Sequence, residues 1–153
     1  MPERRGVIIN EGRASQIRDF SKLLIGKITP TDLDMLIEYH DKCFVFCETK
    51  YDGAPLPFGQ SLALERLCDV CESAGKVSIL FITTHNTQID EVIDMGMTVV
   101  TAYRFKFKWQ PVEKTVLLKD AVRSFIEKQE RYGGYFTRDE SISEQLPLAL
   151  NGE

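Results

Sequence analysis

The chain predicts an α/β fold, a mixed β-sheet flanked by helices, and three observations carry that expectation. Apolar residues recur at helical spacing in three separated stretches. Two apolar segments, residues 43–50 and 77–83, have the length and β-branched or aromatic content of strands. The elements then alternate as helix, strand, strand, helix, strand, strand, helix, an order that places helices on the faces of one sheet.

Each element follows from local chemistry. Ile17, Phe20 and Leu24 predict a first helix over residues 12–25, stopped by Gly26 and followed by the breaker Thr29-Pro30-Thr31. Residues 33–39 and 43–50 predict two strands joined by the short polar link His40-Asp41-Lys42, a hairpin length. Gly53, Pro55 and Pro57 mark a loop, after which Leu64, Leu67, Cys68 and Cys71 stripe a helix from Phe58 to Ser73, closed by Gly75. Val77 to Thr83 is nearly all apolar, the pattern of a strand covered on both faces. Residues 97–109 read as one further strand and 115–130 as a helix carrying Leu118, Val122, Phe125 and Ile126. One domain, 1–136, is therefore expected, with 137–153 as a flexible acidic tail; the chain shows no internal repeat.

Composition bounds the function. The 153 residues are 43% hydrophobic and 27% charged, ordinary for a globular protein with a real core. No apolar run approaches the length that crosses a bilayer, and no signal-peptide core follows the basic N-terminus, so no membrane partner is expected. Four cysteines without an export signal predict reduced thiols and a cytoplasmic location. The net charge of −4 gives no overall basic footprint for nucleic acid. Residues 101–131 nevertheless hold eight basic residues against four acidic ones, whereas residues 139–153 hold four acids and no base.

The chemistry concentrates on the first hairpin. Alternation puts Phe44, Phe46, Glu48 and Lys50 on one face of its second strand. With the turn centred on Asp41, facing residues have numbers summing to 82, so Asp34 lies opposite Glu48 and Asp32 opposite Lys50. Facing carboxylates repel unless a cation lies between them, and hard divalent ions take oxygen ligands. Such an ion activates water, and an adjacent lysine stabilises charge on a phosphoryl group, so acid, acid and lysine suit phosphodiester hydrolysis. The bland alternative is solvated strand-end charge at Glu48 and Lys50, with turn or cap chemistry at Asp32 and Asp34.

Pro30-Thr31-Asp32-Leu33-Asp34 followed by Phe46-Cys47-Glu48-Thr49-Lys50 resembles the PD-(D/E)XK nuclease superfamily, the restriction-endonuclease-like fold, over about residues 12–109. The resemblance implies an α-β-β-α-β core, here with an added strand and a C-terminal helix. It also implies Mg2+ or Mn2+ as cofactor and DNA as substrate, with Asp34 as the motif aspartate and Glu48 and Lys50 as its E-x-K. The proline stands four residues before Asp34 rather than beside it, so Asp32 remains a rival or second ligand. Gln60, at the start of the second helix, is similar to a glutamine that some branches place near the site; a plain helix-start residue is the alternative. Glu11 is the nearest match to a first-helix acid that many members carry as a further metal ligand. Small size also resembles phage and archaeal junction-resolving nucleases, which act as homodimers, with helix 115–130 as the candidate dimer face.

Other features are read more plainly. Cys43, Cys47, Cys68 and Cys71 fall on apolar stripes and are expected to be buried thiols rather than a zinc or iron–sulfur site. His40 falls in a turn, and His85 ends the third strand near the sheet edge. Tyr103 to Trp109 alternates aromatic and basic residues, giving either an amphipathic edge strand or a row of DNA contacts from Arg104, Lys106 and Lys108. In the tail, Gln145, Leu146, Leu148 and Leu150 resemble the bacterial peptide that docks on the DNA polymerase sliding clamp. The expected function is thus a metal-dependent DNA nuclease of replication, repair or recombination, recruited by the clamp, acting in a bacterium or in the host of a phage. The alternative is a non-catalytic adaptor or inhibitor of the same fold that binds DNA or the clamp.

Overall fold

A computed structural model describes residues 5–131 of the chain. Its contacts divide the chain into two units, residues 1–32 and 33–153. The expected tail and its clamp-like peptide lie outside the described residues.

The first unit corrects the expectation of a long opening helix. Helix α1 is one turn, Glu11–Ala14, capped by the Asn10 side chain, which accepts from the Arg13 N–H at 3.3 Å. A 3-10 turn at Ser21–Leu23 follows, with the Ser21 N–H donating to Asp19. None of residues 5–32 is buried, and Ile17 is 79% exposed. Helical spacing yields a stable helix only when its stripe has a surface to bury against, and this stripe has none within its unit.

The second unit is built on a five-stranded sheet of order β1-β2-β3-β4-β5. Strands β1 (Met35–Tyr39) and β2 (Cys43–Tyr51) form the expected antiparallel hairpin, paired from Met35↔Cys47 to Tyr39↔Cys43. His40 and Asp41 both have positive φ, 53° and 59°, and the Lys42 N–H closes the turn on the Tyr39 carbonyl at 3.0 Å. Two positive φ values suit the turn to the twist of the flanking strands.

Helix α2 (Phe58–Ser73) then crosses over to β3 (Val77–His85), which runs parallel to β2 in step from Cys43↔Val77 to Tyr51↔His85. Gly75, at φ 87°, ends α2: its N–H reaches the Glu72 carbonyl and the Lys76 N–H reaches that of Cys71. That double closure needs a left-handed residue, which glycine adopts without penalty.

Where one strand over residues 97–109 is expected, the structure has two. Strands β4 (Val99–Phe105) and β5 (Lys108–Pro111) form a hairpin whose two-residue turn is Lys106-Phe107, at φ 47° and 66°. A turn without glycine, asparagine or aspartate leaves no mark in the sequence.

Helix α3 (Leu118–Arg131) packs on the opposite face from α2. Val116, Leu118, Ala121 and Phe125 meet Val45, Cys47, Ile79, Phe81, Tyr103 and Phe105, while Leu64 and Cys68 of α2 meet Phe46, Leu80 and Ile82. The apolar stripe of α3, the helix expected over residues 115–130, is thus engaged by the sheet. Lys119, Asp120, Arg123 and Glu127 face outward. Among the described residues, no helix is long and apolar enough to cross a membrane.

Candidate active site

Parity along β2 builds the site. Phe44 and Phe46 lie beneath α2, so Glu48 and Lys50 follow on the same face as the apolar layer runs out. Glu48 is only 3% exposed and Lys50 is partly exposed. The constant register of the hairpin, extended by one pair beyond Met35↔Cys47, sets Asp34 across from Glu48.

Hydrogen bonds lock that pairing reciprocally. The Asp34 N–H donates to Glu48 Oε2 at 3.3 Å, and the Thr49 N–H donates to Asp34 Oδ2 at 2.8 Å. Glu48 Oε1 accepts from Gln60 Nε2 at 2.8 Å and lies 3.1 Å from Lys50 Nζ. Gln60 is the third residue of α2, so the helix start is tied to the strand end. Asp34, Glu48, Lys50 and Gln60, all expected from the sequence, therefore converge.

Burial, followed by the neighbouring charge of Asp34, pushes the Glu48 carboxyl above its ordinary value; bonds to Lys50 and Gln60 pull the other way. A buried carboxylate beside a second acid is a site that a cation relieves. Among the described residues, no group of three or more His, Cys, Asp or Glu is placed to hold a metal ion. Two carboxylates completed by water and phosphate oxygens still fit Mg2+, which keeps much of its hydration. Glu11 opens α1 and Asp32 closes the first unit, both exposed.

The basic residues divide. Arg104 is held by α2: its Nε and Nη2 donate to the Asp69 carboxylate at 2.8 and 2.7 Å, and its Nη1 lies 3.2 Å from Glu65. Its guanidinium also sits over the Trp109 ring, whose N–H donates to Glu65. Lys106 lies in the β4–β5 turn with its ammonium near the Phe105 ring, and Lys108 is exposed at the start of β5. The turn breaks the row of bases expected along a single strand.

Cys43, Cys47 and Cys68 are buried free thiols, each pushed up to about 12 chiefly by desolvation, as their apolar positions imply; Cys71, expected to be buried with them, is half-buried. Two features leave little mark in the sequence. The Arg104 clamp is foreshadowed only by Glu65 and Asp69 standing four residues apart on one helix. The second is a cleft of about 520 Å3 at the ends of β2 and β3, lined by residues that include Tyr51, His85, Ile89 and Ile93.

Compared with known proteins, the chain matches no family model, no curated protein and no solved structure.

Proposed function

We propose that this chain is a divalent-metal-dependent DNA phosphodiesterase working at Asp34, Glu48 and Lys50. The observation that carries the reading is the buried Glu48 carboxylate held against Asp34, Lys50 and Gln60 at the end of one hairpin. Asp34 and Glu48 would hold Mg2+ or Mn2+. Such an ion would supply an activated water and offset charge gathering on the phosphoryl oxygens.

The chain's own residues do the rest. The Lys50 ammonium, at the partly exposed end of the strand, offers its charge to a phosphate oxygen in the transition state. Gln60 is a positioning residue: its amide fixes the Glu48 carboxylate so that one oxygen keeps a set direction. The Thr49 N–H does the same for Asp34. A non-catalytic adaptor has no need of this convergence, which favours the enzyme over that alternative.

Purified protein with Mg2+ or Mn2+ should nick or degrade DNA when offered linear, single-stranded, flapped and branched substrates. Asp34→Ala and Lys50→Ala should each lower the rate by about a hundredfold or more. Unchanged activity in both variants refutes the assignment. Recruitment by the sliding clamp belongs to the same proposal, and a pull-down indifferent to deleting residues 145–150 would remove it.

A further inference from the structure

The cleft beside the site lies where ligands of open α/β sheets bind, outside the carboxyl ends of parallel strands. Its wall begins one residue beyond Lys50. Lys50 pairs with Thr84 across β2 and β3, and the next pair, Tyr51 and His85, lines the cleft. The two rings meet edge to face at 5.7 Å, and Tyr51 remains 56% exposed.

His85 is held in place: its Nδ1 accepts the Thr87 N–H at 3.2 Å, which leaves Nε2–H as a donor. Ile89 and Ile93, both exposed, are the apolar residues of its lining. Gln88 and Glu91 stand among the cleft's lining residues as hydrogen-bonding groups. The loop after Lys50 is tied to β3 as well, with the Gly53 N–H on Thr84 Oγ1 at 2.7 Å and the Asp52 N–H on the His85 carbonyl at 2.8 Å. The aromatic wall thus stands on tethered backbone at the strand ends.

An exposed aromatic ring, an apolar flank and a few polar groups describe a receptor for a flat heteroaromatic ring with a hydrogen-bonding edge. We infer that this cleft takes an unstacked nucleobase of single-stranded DNA, stacked on Tyr51, next to the phosphate held at Lys50. The inference rests on the nuclease reading, which supplies the phosphate. Side chains of Lys50 and Tyr51 leave β2 on opposite faces, so a strand crossing the end of β2 presents its backbone to one and a base to the other. A duplex keeps its bases stacked inside, whereas single strands, flaps and splayed branches offer them freely. Substrates with an unpaired nucleotide beside the scissile bond are therefore the ones this cleft selects.

The test is binding measured in EDTA, where no cleavage intervenes. A short fluorescent oligothymidylate and an abasic strand of equal length are titrated against wild type, Tyr51→Ala, Tyr51→Phe and Ile89→Glu. Tyr51→Ala is expected to raise the Kd for oligothymidylate about tenfold, the usual consequence of losing one base–aromatic stack. Tyr51→Phe keeps a stacking ring and should bind as wild type does, while Ile89→Glu weakens binding. Wild type should bind the abasic strand as poorly as Tyr51→Ala binds oligothymidylate. Equal wild-type affinity for the two strands, no measurable binding of oligothymidylate, or an unaltered Kd in Tyr51→Ala overturns the inference. A protein that cleaves DNA but shows no base dependence refutes the cleft alone. One that keeps the base dependence but cleaves nothing with Mg2+ or Mn2+ refutes the active site alone.

Discussion

Arg104 separates a structural from a DNA-binding use of the basic strand, and Arg104→Met is the substitution that decides. The side chain is 13% exposed, and its acidic partners Asp69 and Glu65 are 27% and 24% exposed. Breaking a fully buried ion pair by removing one partner costs about 3–5 kcal/mol, and an exposed pair is worth about 0–1 kcal/mol. Quarter-exposed carboxylates rehydrate in part, which sets the expectation near 2–3 kcal/mol. Methionine keeps an apolar stem against Trp109, so the loss is mainly electrostatic. At about 4 °C per kcal/mol for a domain of this size, the melting temperature should fall by about 8–12 °C. Combining it with Asp69→Asn should cost much less than the sum of the two single changes, because both remove one interaction. DNA affinity supplies the second readout. A residue that contacts a phosphate lowers the slope of log affinity against log salt by about 1 when removed. Arg104→Met should leave that slope alone, whereas Lys108→Ala, at an exposed position, is the variant expected to lower it. A shallower slope in Arg104→Met with an unaltered melting temperature would refute the clamp.

Three other outcomes follow from the geometry. Glu48 binds its proton more tightly in the folded than in the unfolded chain, so metal-free stability is greatest below its ordinary value of 4.5 and falls as pH rises through the raised one. Melting curves should show that decline in wild type, its reversal by Mg2+ above the window, and neither effect in Glu48→Gln; equal profiles sink the assignment of the shift. Lys106→Asn with Phe107→Gly should raise stability by about 1 kcal/mol by relieving two positive φ values, and no gain in denaturant midpoint would mean the turn is unstrained. Buried thiols pushed to about 12 should resist iodoacetamide at neutral pH, so Cys43, Cys47 and Cys68 label only on unfolding. Rapid labelling of folded protein at those three positions would contradict their burial.

What the sequence disclosed depended on how local the cause was. The β1–β2 register follows from side-chain alternation and the position of one turn, so the facing of Asp34 and Glu48 was legible residue by residue. The bounds of α2 were equally plain, because Pro57 and Gly75 punctuate them. Ile17, Phe20 and Leu24 misled because periodicity records an apolar stripe without recording whether a partner surface exists; Ile17 is left 79% exposed. The Lys106-Phe107 turn carried no turn residue. The Arg104–Asp69 pair joins β4 to α2 over 35 positions, and only the sheet order brings those two elements together.

The site's position also follows from a change of character along β2. From Phe44 to Phe46 the α2 face of the strand is apolar and sealed by Leu64 and Cys68; at Glu48 it turns ionisable while still shielded by the start of the helix. A charge at that depth opposes folding unless something compensates it. Lys50 and Gln60 compensate it partially, since the carboxyl stays above its ordinary value despite both. What remains is chiefly the cost of burial, followed by the charge of Asp34, and under the proposed reading a cation between the two acids would offset it. Two residues farther out the strand reaches solvent, where Lys50, in the proposed role, would meet a phosphate that could not enter the apolar layer. Folding thus leaves a destabilised acid at the strand end, and on the proposed reading a bound metal and phosphate would relieve the strain that the fold retains.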